Sequence, residues 1–268
     1  AEMTSPSWAF AKTTARSLFP EAVGPTTATI FVFWGVIKES IELSKENATM
    51  RALALIKTIF MNEDECMCGH EEELMGSLAI GDTLPEMELP AYDPKKDDFT
   101  KVNTKDLLGK WVIYFFYPAD FTFVCPTELE EMADLYAEFQ KEGAEVLSVS
   151  TDTTFAHKAW HDNSAAIKKI QYPMIADPDG SLSMLFGTYI SEGDDAGLSL
   201  RGSFLVSPEG VLKTIEIHDN AIGRSGKELL RKLRAAKFVA EHGGNVCPAS
   251  WEPGEDTLKP GVDLVGKI

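Results

Sequence analysis

The sequence contains no apolar run long enough to cross a membrane as a helix. Its longest strongly apolar stretch, Ala28–Val36 with Ile37, is about half of what a span requires. Cysteine is scarce. Four cysteines in 268 residues, at 66, 68, 125 and 247, do not make a disulfide-stapled secreted scaffold. They point to a reducing compartment, the cytoplasm, in which thiols react or bind metal. Positive charge is also short. The 25 basic residues face 42 acidic ones, for a net charge of −17. Such a surface repels nucleic acid and anionic membranes, so neither is expected as a partner. Internal repeats and long low-complexity segments are absent as well. What is present, 44% apolar and 25% charged residues, suits a globular protein and excludes a collagen-like, coiled-coil or wholly disordered chain.

The charge is unevenly spread. Residues 1–60 hold six basic and five acidic side chains, a net of +1, which leaves −18 for residues 61–268. The first 29 residues are rich in Ser, Thr, Ala and Pro and read as loosely structured. Their apolar core begins too far in for a secretory signal; with Lys12 and Arg16 they bear only a faint likeness to an organellar transit peptide. Leu53, Ile56 and Phe60 recur at helical spacing, and the acidic cluster Glu63-Asp64-Glu65 follows. The expected division is an N-terminal extension over 1–77, a main domain over 78–242 and a C-terminal tail over 243–268. Met61 is a candidate natural start of the main domain.

From Leu78 onward, strand and helix signals alternate. Trp111–Tyr117 (WVIYFFY) reads as a strand buried on both faces. Leu129, Met132, Ala133, Tyr136 and Phe139 mark an amphipathic helix that Gly143 ends. Glu145–Ser150 reads as strand, Thr154–Ile167 as helix and Pro173–Ala176 as a short strand, before the turn Asp177-Pro178-Asp179-Gly180. Gly202–Ser207 and Val211–Ile217 form a hairpin across Pro208-Glu209-Gly210. Ser225 with Glu228 is a capping-box pattern that opens a helix to about His242, stopped by Gly243-Gly244. The order predicts an α/β protein with a thioredoxin-like fold: a central mixed sheet flanked by helices.

The informative segment runs from Pro118 to Leu129 (PADFTFVCPTEL), where a buried strand turns into a helix. Pro126 suits the first helical position, which places Cys125 at or just before the helix N-terminus. Unpaired N–H groups and the helix dipole there favour an anion, in this case a thiolate, which is the reactive form. Thr122 lies three residues earlier, where its hydroxyl is expected to fold back onto the sulfur. A lone Cys-Pro pair is more readily an inert buried cysteine than a reactive one; the whole string counts against that reading.

P-x-x-x-T-x-x-C is the peroxiredoxin signature, and the stretch resembles the bacterial alkyl hydroperoxide reductase C branch of the typical 2-Cys peroxiredoxins. The resemblance extends through Ser150-Thr151-Asp152, His157-Lys158-Ala159-Trp160-His161, Val246-Cys247-Pro248-Ala249 and Asp263–Ile268. It implies that Cys125 is the peroxidatic cysteine and Cys247 the resolving one. Thr122 and Pro118 would orient the peroxide and shield the site, Arg201 would be the active-site arginine, and Glu128 would position that arginine. Phe121 and Trp160 would pack around the site. The resemblance also implies hydrogen peroxide and small organic hydroperoxides as substrates and no metal, flavin or haem in this chain. Electrons would come from a dithiol reductant, either a thioredoxin or a flavoprotein disulfide reductase, and the expected assembly is a homodimer that builds a decamer.

Several features depart from that pattern. Cys66-Met67-Cys68-Gly69-His70 is a weak soft-metal or redox candidate, because a structural zinc site wants wider cysteine spacing and a fourth ligand. His157 and His161 are four apart, a spacing that suits a metal, but with no third ligand they read as ordinary helix-surface residues. The loop associated with easy overoxidation in eukaryotic relatives is replaced here by Asp194-Asp195-Ala196-Gly197-Leu198, which implies a robust, bacterial-type enzyme. Two rival functions remain on the same fold. A thiol–disulfide oxidoreductase would want Cys-x-x-Cys at the helix head, which Cys125-Pro126-Thr127-Glu128 lacks. A ring-forming holdase would be separated by its indifference to loss of Cys125.

Overall fold

The computed structural model describes residues 77–268. The pattern of Trp111–Tyr117 sets the architecture. Its first six residues form strand β3 (Trp111–Phe116), and every one of them is buried. Alternation along the strand sends Trp111, Ile113 and Phe115 to one face and Val112, Tyr114 and Phe116 to the other. A strand apolar on both sides must lie inside a sheet covered on both faces.

That sheet has seven strands in the order β2-β1-β5-β4-β3-β6-β7. The other strands are β1 (Glu88–Asp93), β2 (Asp98–Asn103), β4 (Ala144–Ser150), β5 (Met174–Ala176), β6 (Arg201–Val206) and β7 (Leu212–His218). β3, β4 and β5 run parallel, whereas the pairs β1–β2, β1–β5, β3–β6 and β6–β7 are antiparallel. The fold is therefore the mixed-sheet, thioredoxin-like arrangement the alternation predicted. Helices α1 (Cys125–Lys141), α2 (Thr154–Asn163) and α4 (Gly226–Glu241) contribute Leu129, Trp160 and Leu233 to the core on one face. The short α3 (Ser181–Leu185) contributes Leu182 to the other.

Local chemistry explains most of the boundaries. The Ser225 hydroxyl accepts from Glu228 N–H at 3.3 Å, as the capping box requires, while the Glu228 carboxylate turns to Arg231 at 2.7 and 2.8 Å. Gly143 takes φ +74°, the left-handed conformation that closes α1. α2 stops at Asn163, four residues short of the expected Ile167, because Asn163 and Ser164 compete for the backbone. The Asn163 amide donates to Ala159 O at 2.8 Å and the Ser164 hydroxyl accepts from Ile167 N–H, which starts a separate 3₁₀ turn at Ile167–Lys169. The sequence pattern gave no sign of the β1–β2 hairpin. β2 is an edge strand with no buried residue, held by its pairing with β1 rather than by an apolar face.

The C-terminal tail differs from expectation. Gly243-Gly244 marks the end of the last helix, yet the tail beyond it is no loose end: it is folded back along α4. Trp251 is buried against Phe238, its carbonyl accepts from Arg231 at 3.1 Å, and Val246 pairs with Leu258. Among the described residues no helix is long and apolar enough to cross a membrane.

Gly202 in β6 has no room for a side chain. A Cβ there would lie 2.5 Å from Phe204 Cε2 and 2.7 Å from Thr188 Cγ2. Phe204 is itself locked against Phe116 and Phe186. Gly202→Ala should therefore destabilise the domain by about 1–3 kcal/mol, seen as a lower midpoint in urea unfolding with an unchanged slope.

Candidate active site

β3 ends at Phe116, and the chain turns through residues 117–124 before α1 begins at Cys125. Cys125 is the first residue of the helix and Pro126 the second, so the proline lies one position further in than expected. The thiol is fully buried. β6 lies antiparallel beside β3, and its Ser203 is paired with Phe115. Arg201, two residues before Ser203, thereby emerges at the end of β3 from which the chain turns towards α1. Its Nη1 lies 3.4 Å from Cys125 Sγ and 2.7 Å from Glu128 Oε2, and its Nε donates to Asn220 O at 2.9 Å.

Glu128 projects from the first turn of α1 and is buried. Besides Arg201 it meets a second arginine, Arg224, which the sequence gave no reason to single out. Arg224 Nε and Nη2 donate to the two carboxylate oxygens at 3.0 and 3.1 Å, and Arg224 N–H donates to Oε1 at 2.7 Å. The remaining Arg224 nitrogen, Nη1, donates to Gly202 O at 2.6 Å and to the Ser203 hydroxyl at 3.2 Å, and the guanidinium lies 3.5 Å above the Phe115 ring. Burial works against a charged Glu128, but the hydrogen bonds and charge of Arg224, with the charge of Arg201, hold its carboxyl below the usual range.

The loop that delivers Cys125 is clamped from behind. Asp120 N–H donates to the Asp152 carboxylate at 2.8 Å. The Asp120 carboxylate accepts from the Tyr117 hydroxyl at 2.7 Å and pairs with His157 Nδ1 at 2.8 Å, while His157 Nε2 lies 3.1 Å from Ile175 O. His157 is therefore not the helix-surface residue the sequence suggested. It shares the inward face of α2 with Trp160, three residues on, and that spacing is the sequence signal that could have placed it. His161 is partly buried, with Nδ1 3.4 Å from the Tyr92 hydroxyl. Among the described residues no group of three or more His, Cys, Asp or Glu is arranged to hold a metal. Phe121, the residue after the clamp, has φ +57°, a strained conformation for a bulky side chain.

Pro118 is buried in the same loop. Thr122 departs from expectation: its hydroxyl donates to Ala119 O at 2.9 Å and stabilises the loop instead of bonding to the sulfur. Phe121 packs on buried Trp160 with ring centroids 5.9 Å apart, as expected of residues that wall the site. Cys247 is not brought to this cluster. It lies beside α4, with Sγ 3.8 Å from Ala235 O, on a cavity of about 500 Å³ that Arg231, Lys232 and Trp111 also line. Burial pushes its thiol up, opposed by the Arg231 charge. Both Cys125 and Cys247 are free thiols. Cys66, Cys68 and His70 lie outside the described residues.

A thioredoxin-like sheet with a buried thiol at a helix head, faced by an arginine that a glutamate holds, defines a thiol peroxidase. Comparison with known proteins agrees. Residues 80–215 match the AhpC/TSA family, and residues 235–267 match the C-terminal domain of 1-Cys peroxiredoxin. Alkyl hydroperoxide reductase C of Staphylococcus haemolyticus is 52% identical over 178 residues, which are 66% of this chain and 93% of that protein. The crystal structure of Enterococcus faecalis AhpC superposes with a TM-score of 0.59 at 52% identity, over 63% of this chain and 98% of that one. Reduced Plasmodium vivax 2-Cys peroxiredoxin gives 0.64 at 31% identity, over 69% and 95%. The chain belongs to the AhpC/TSA family and is a peroxiredoxin, a thiol-dependent peroxidase.

The Glu128 site yields a prediction about stability. A carboxyl held below its usual pKa contributes stability that is complete above the ordinary glutamate value of 4.5 and is lost as pH falls through the depressed value. Glu128→Gln removes that contribution and leaves two buried guanidinium groups unbalanced. It should cost about 3 kcal/mol at neutral pH and flatten the fall in stability on acidification, as measured by urea unfolding at a series of pH values. Equal stability of variant and wild type at pH 7 would overturn it.

Proposed function

We propose that Cys125 is the peroxidatic cysteine and Cys247 the resolving cysteine of a cycle that reduces hydrogen peroxide and small organic hydroperoxides. The observation that carries this reading is the 3.4 Å contact between Arg201 Nη1 and Cys125 Sγ at the head of α1. Arg201, Arg224 and Glu128 sum to one surplus positive charge in a buried site. The thiolate form of Cys125 balances that charge. The thiolate attacks one peroxide oxygen, the O–O bond breaks, and the leaving oxygen departs as an alcohol or water after taking a proton. Negative charge builds on that oxygen as the bond breaks, and the fixed guanidinium and helix-head N–H groups stabilise it. Glu128 holds Arg201 in place, Pro118 shields the sulfur, and Thr122 keeps the peroxide-binding loop in shape.

Cys125 is left as a sulfenic acid. The Cys247 thiol condenses with it, forming a disulfide and releasing water. A dithiol, from a thioredoxin or a flavoprotein disulfide reductase, then takes the disulfide's place and returns both thiols. We assign the bond to two subunits of a homodimer. In support, Cys247 packs beside Ala235, nine residues along α4 from the Gly226 end that adjoins Arg224. Assembly of dimers into a decamer is supported by aromatic side chains left in solvent on and beyond the site loop: Phe123 is 92% exposed and Phe121 is exposed as well, as are Phe155 on α2 and Phe99 on β2. Residues 78–242 form the catalytic domain in this reading, 243–268 the resolving tail and 1–77 an extension dispensable for chemistry. A cycle that draws on a dithiol suits a reducing compartment, and we assign the protein to the cytoplasm on that ground.

Cys125→Ser should abolish peroxide consumption, whereas Cys66→Ser and Cys68→Ser should leave most of it, as measured by stopped-flow kinetics. Near-normal reactivity of the Cys125→Ser protein would sink the assignment. Oxidised wild type should run as a covalent dimer on non-reducing gels and as a monomer with reductant. Cys247→Ser should react once with peroxide and then stall as sulfenic acid, visible as a single-turnover burst and a mass gain of one oxygen. Disulfide-linked Cys125 and Cys247 within a monomer band would refute the intersubunit bond alone. Protein that starts at Met61 should fold and turn over peroxide at the full-length rate. Loss of activity in that protein, if folded, would refute the dispensable extension.

A further inference from the structure

Arg201 is oriented by three contacts, and only two of them belong to the cysteine–glutamate cluster. The third, from Nε to Asn220 O at 2.9 Å, fixes the rotation of the guanidinium from the opposite side. Asn220 lies in the turn that follows β7, where Ala221 N–H donates to the Asp219 carboxylate at 2.8 Å and Ile222 N–H to Asp219 O at 3.0 Å. The Asn220 side chain reaches away from this turn. Its Nδ2 donates to Asp195 Oδ2 at 3.1 Å, across 25 residues of sequence. A carboxylate only accepts, so the amide nitrogen must face Asp195. The amide oxygen is then buried without a partner among the described residues. An orphaned carbonyl of this kind costs stability, and leucine of similar size would avoid the cost.

Asp195 belongs to a compact loop closed at its base by the Tyr189–Ser199 bridge and braced internally by Gly197 N–H to Ile190 O at 2.8 Å and Leu198 N–H to Asp195 O at 3.0 Å. The loop is therefore a firm anchor. An open cleft of about 790 Å³, lined by Tyr189, Leu200, Asp195 and Asn220 among others, separates it from the β7 turn. The Asp195–Asn220 bond joins two residues of this cleft's wall, and the same Asn220 meets Arg201 Nε through its backbone carbonyl.

We propose that Asn220 and Asp195 are positioning residues for the peroxide step: their hydrogen bond holds the β7 turn at the distance that presents Asn220 O to Arg201 and so keeps Nη1 on Cys125. The inference rests on the reading of Arg201 given above. Loss of the tether frees the turn and lets the guanidinium rotate about the Glu128 contact. The residues touch neither sulfur nor substrate, so their removal slows the reaction without abolishing it.

The test uses the full chain and the second-order rate of Cys125 oxidation by hydrogen peroxide, with Arg201→Ala as reference. Asn220→Leu and Asp195→Leu should each slow oxidation by about 3- to 10-fold, the scale of a small misplacement of a charge-stabilising group. The double variant should be no slower than either single one, because both remove the same bond. Asp195→Asn keeps an accepting oxygen and should retain the wild-type rate, although it removes the same charge as Asp195→Leu. Equal slowing by Asp195→Asn and Asp195→Leu would assign the effect to loop charge and overturn the tether. Wild-type rates in all the leucine variants, with Arg201→Ala slow, would overturn this inference alone. An unchanged rate in Arg201→Ala would remove the reading on which it stands. If Asn220→Leu fails to fold, the two Asp195 variants decide, since Asp195 is exposed.

Discussion

A single buried carboxylate organises this site. Glu128 sits in the first turn of α1 and is gripped by Arg224 through both oxygens and by Arg201 through one. Each of the three charges would be costly alone in the interior. Together they are tolerable because nearly every donor and acceptor has a partner: Arg224 spends its remaining groups on Gly202 O, the Ser203 hydroxyl and the Phe115 ring. The carboxylate joins three separate parts of the chain, namely the head of α1, the start of β6 and the residues before α4. The position of Cys125 relative to Arg201 depends on that junction.

A second cluster does comparable work on the other side of the cysteine. Asp120, Tyr117, His157 and Asp152 fix the loop after β3 through three hydrogen bonds, and Phe121 then takes a left-handed conformation. Such strain persists only where the surroundings over-determine the backbone. The buried Asp120–His157 pair and the packing of Phe121 on Trp160 supply that determination. The loop is thus held at both ends, by the clamp at residue 120 and by the helix at residue 125.

Holding the reduced site so firmly has a consequence for the proposed cycle. Cys125 is fully buried, and Cys247 is packed beside α4 under a tail pinned by Trp251. Neither sulfur can meet a second sulfur while these contacts persist. Disulfide formation therefore requires the head of α1 to open and Trp251 to leave its place on Phe238 and Arg231. In the proposed cycle the arrangement described is the one that would meet peroxide, and resolution would need a locally unfolded one. Local opening of a helix end and a tail is the inexpensive kind of motion, since few buried contacts are broken.

The linear sequence carried the parts of this protein that depend on neighbours along the chain. Trp111–Tyr117 could only be a strand covered on both faces, Ser225 could only cap the helix that Glu228 continues, and the string from Pro118 to Leu129 pointed to the family and put Cys125 at the helix head. Residues set by long-range contacts were invisible to it. Arg224 is an unremarked arginine between Gly223 and Ser225 until β6 and α1 bring Gly202 and Glu128 to it. His157 reads as a surface histidine until Asp120 and Ile175 O close on it. The Thr122 hydroxyl has the reach for the sulfur, yet the loop's fold gives it Ala119 O instead. Edge strand β2 has no apolar face to announce it and exists through its pairing with β1. Local pattern thus determined which elements form and where the thiol lies. Only tertiary structure could decide which charges are buried together, because the desolvation that makes those charges matter arises from segments far apart in the chain.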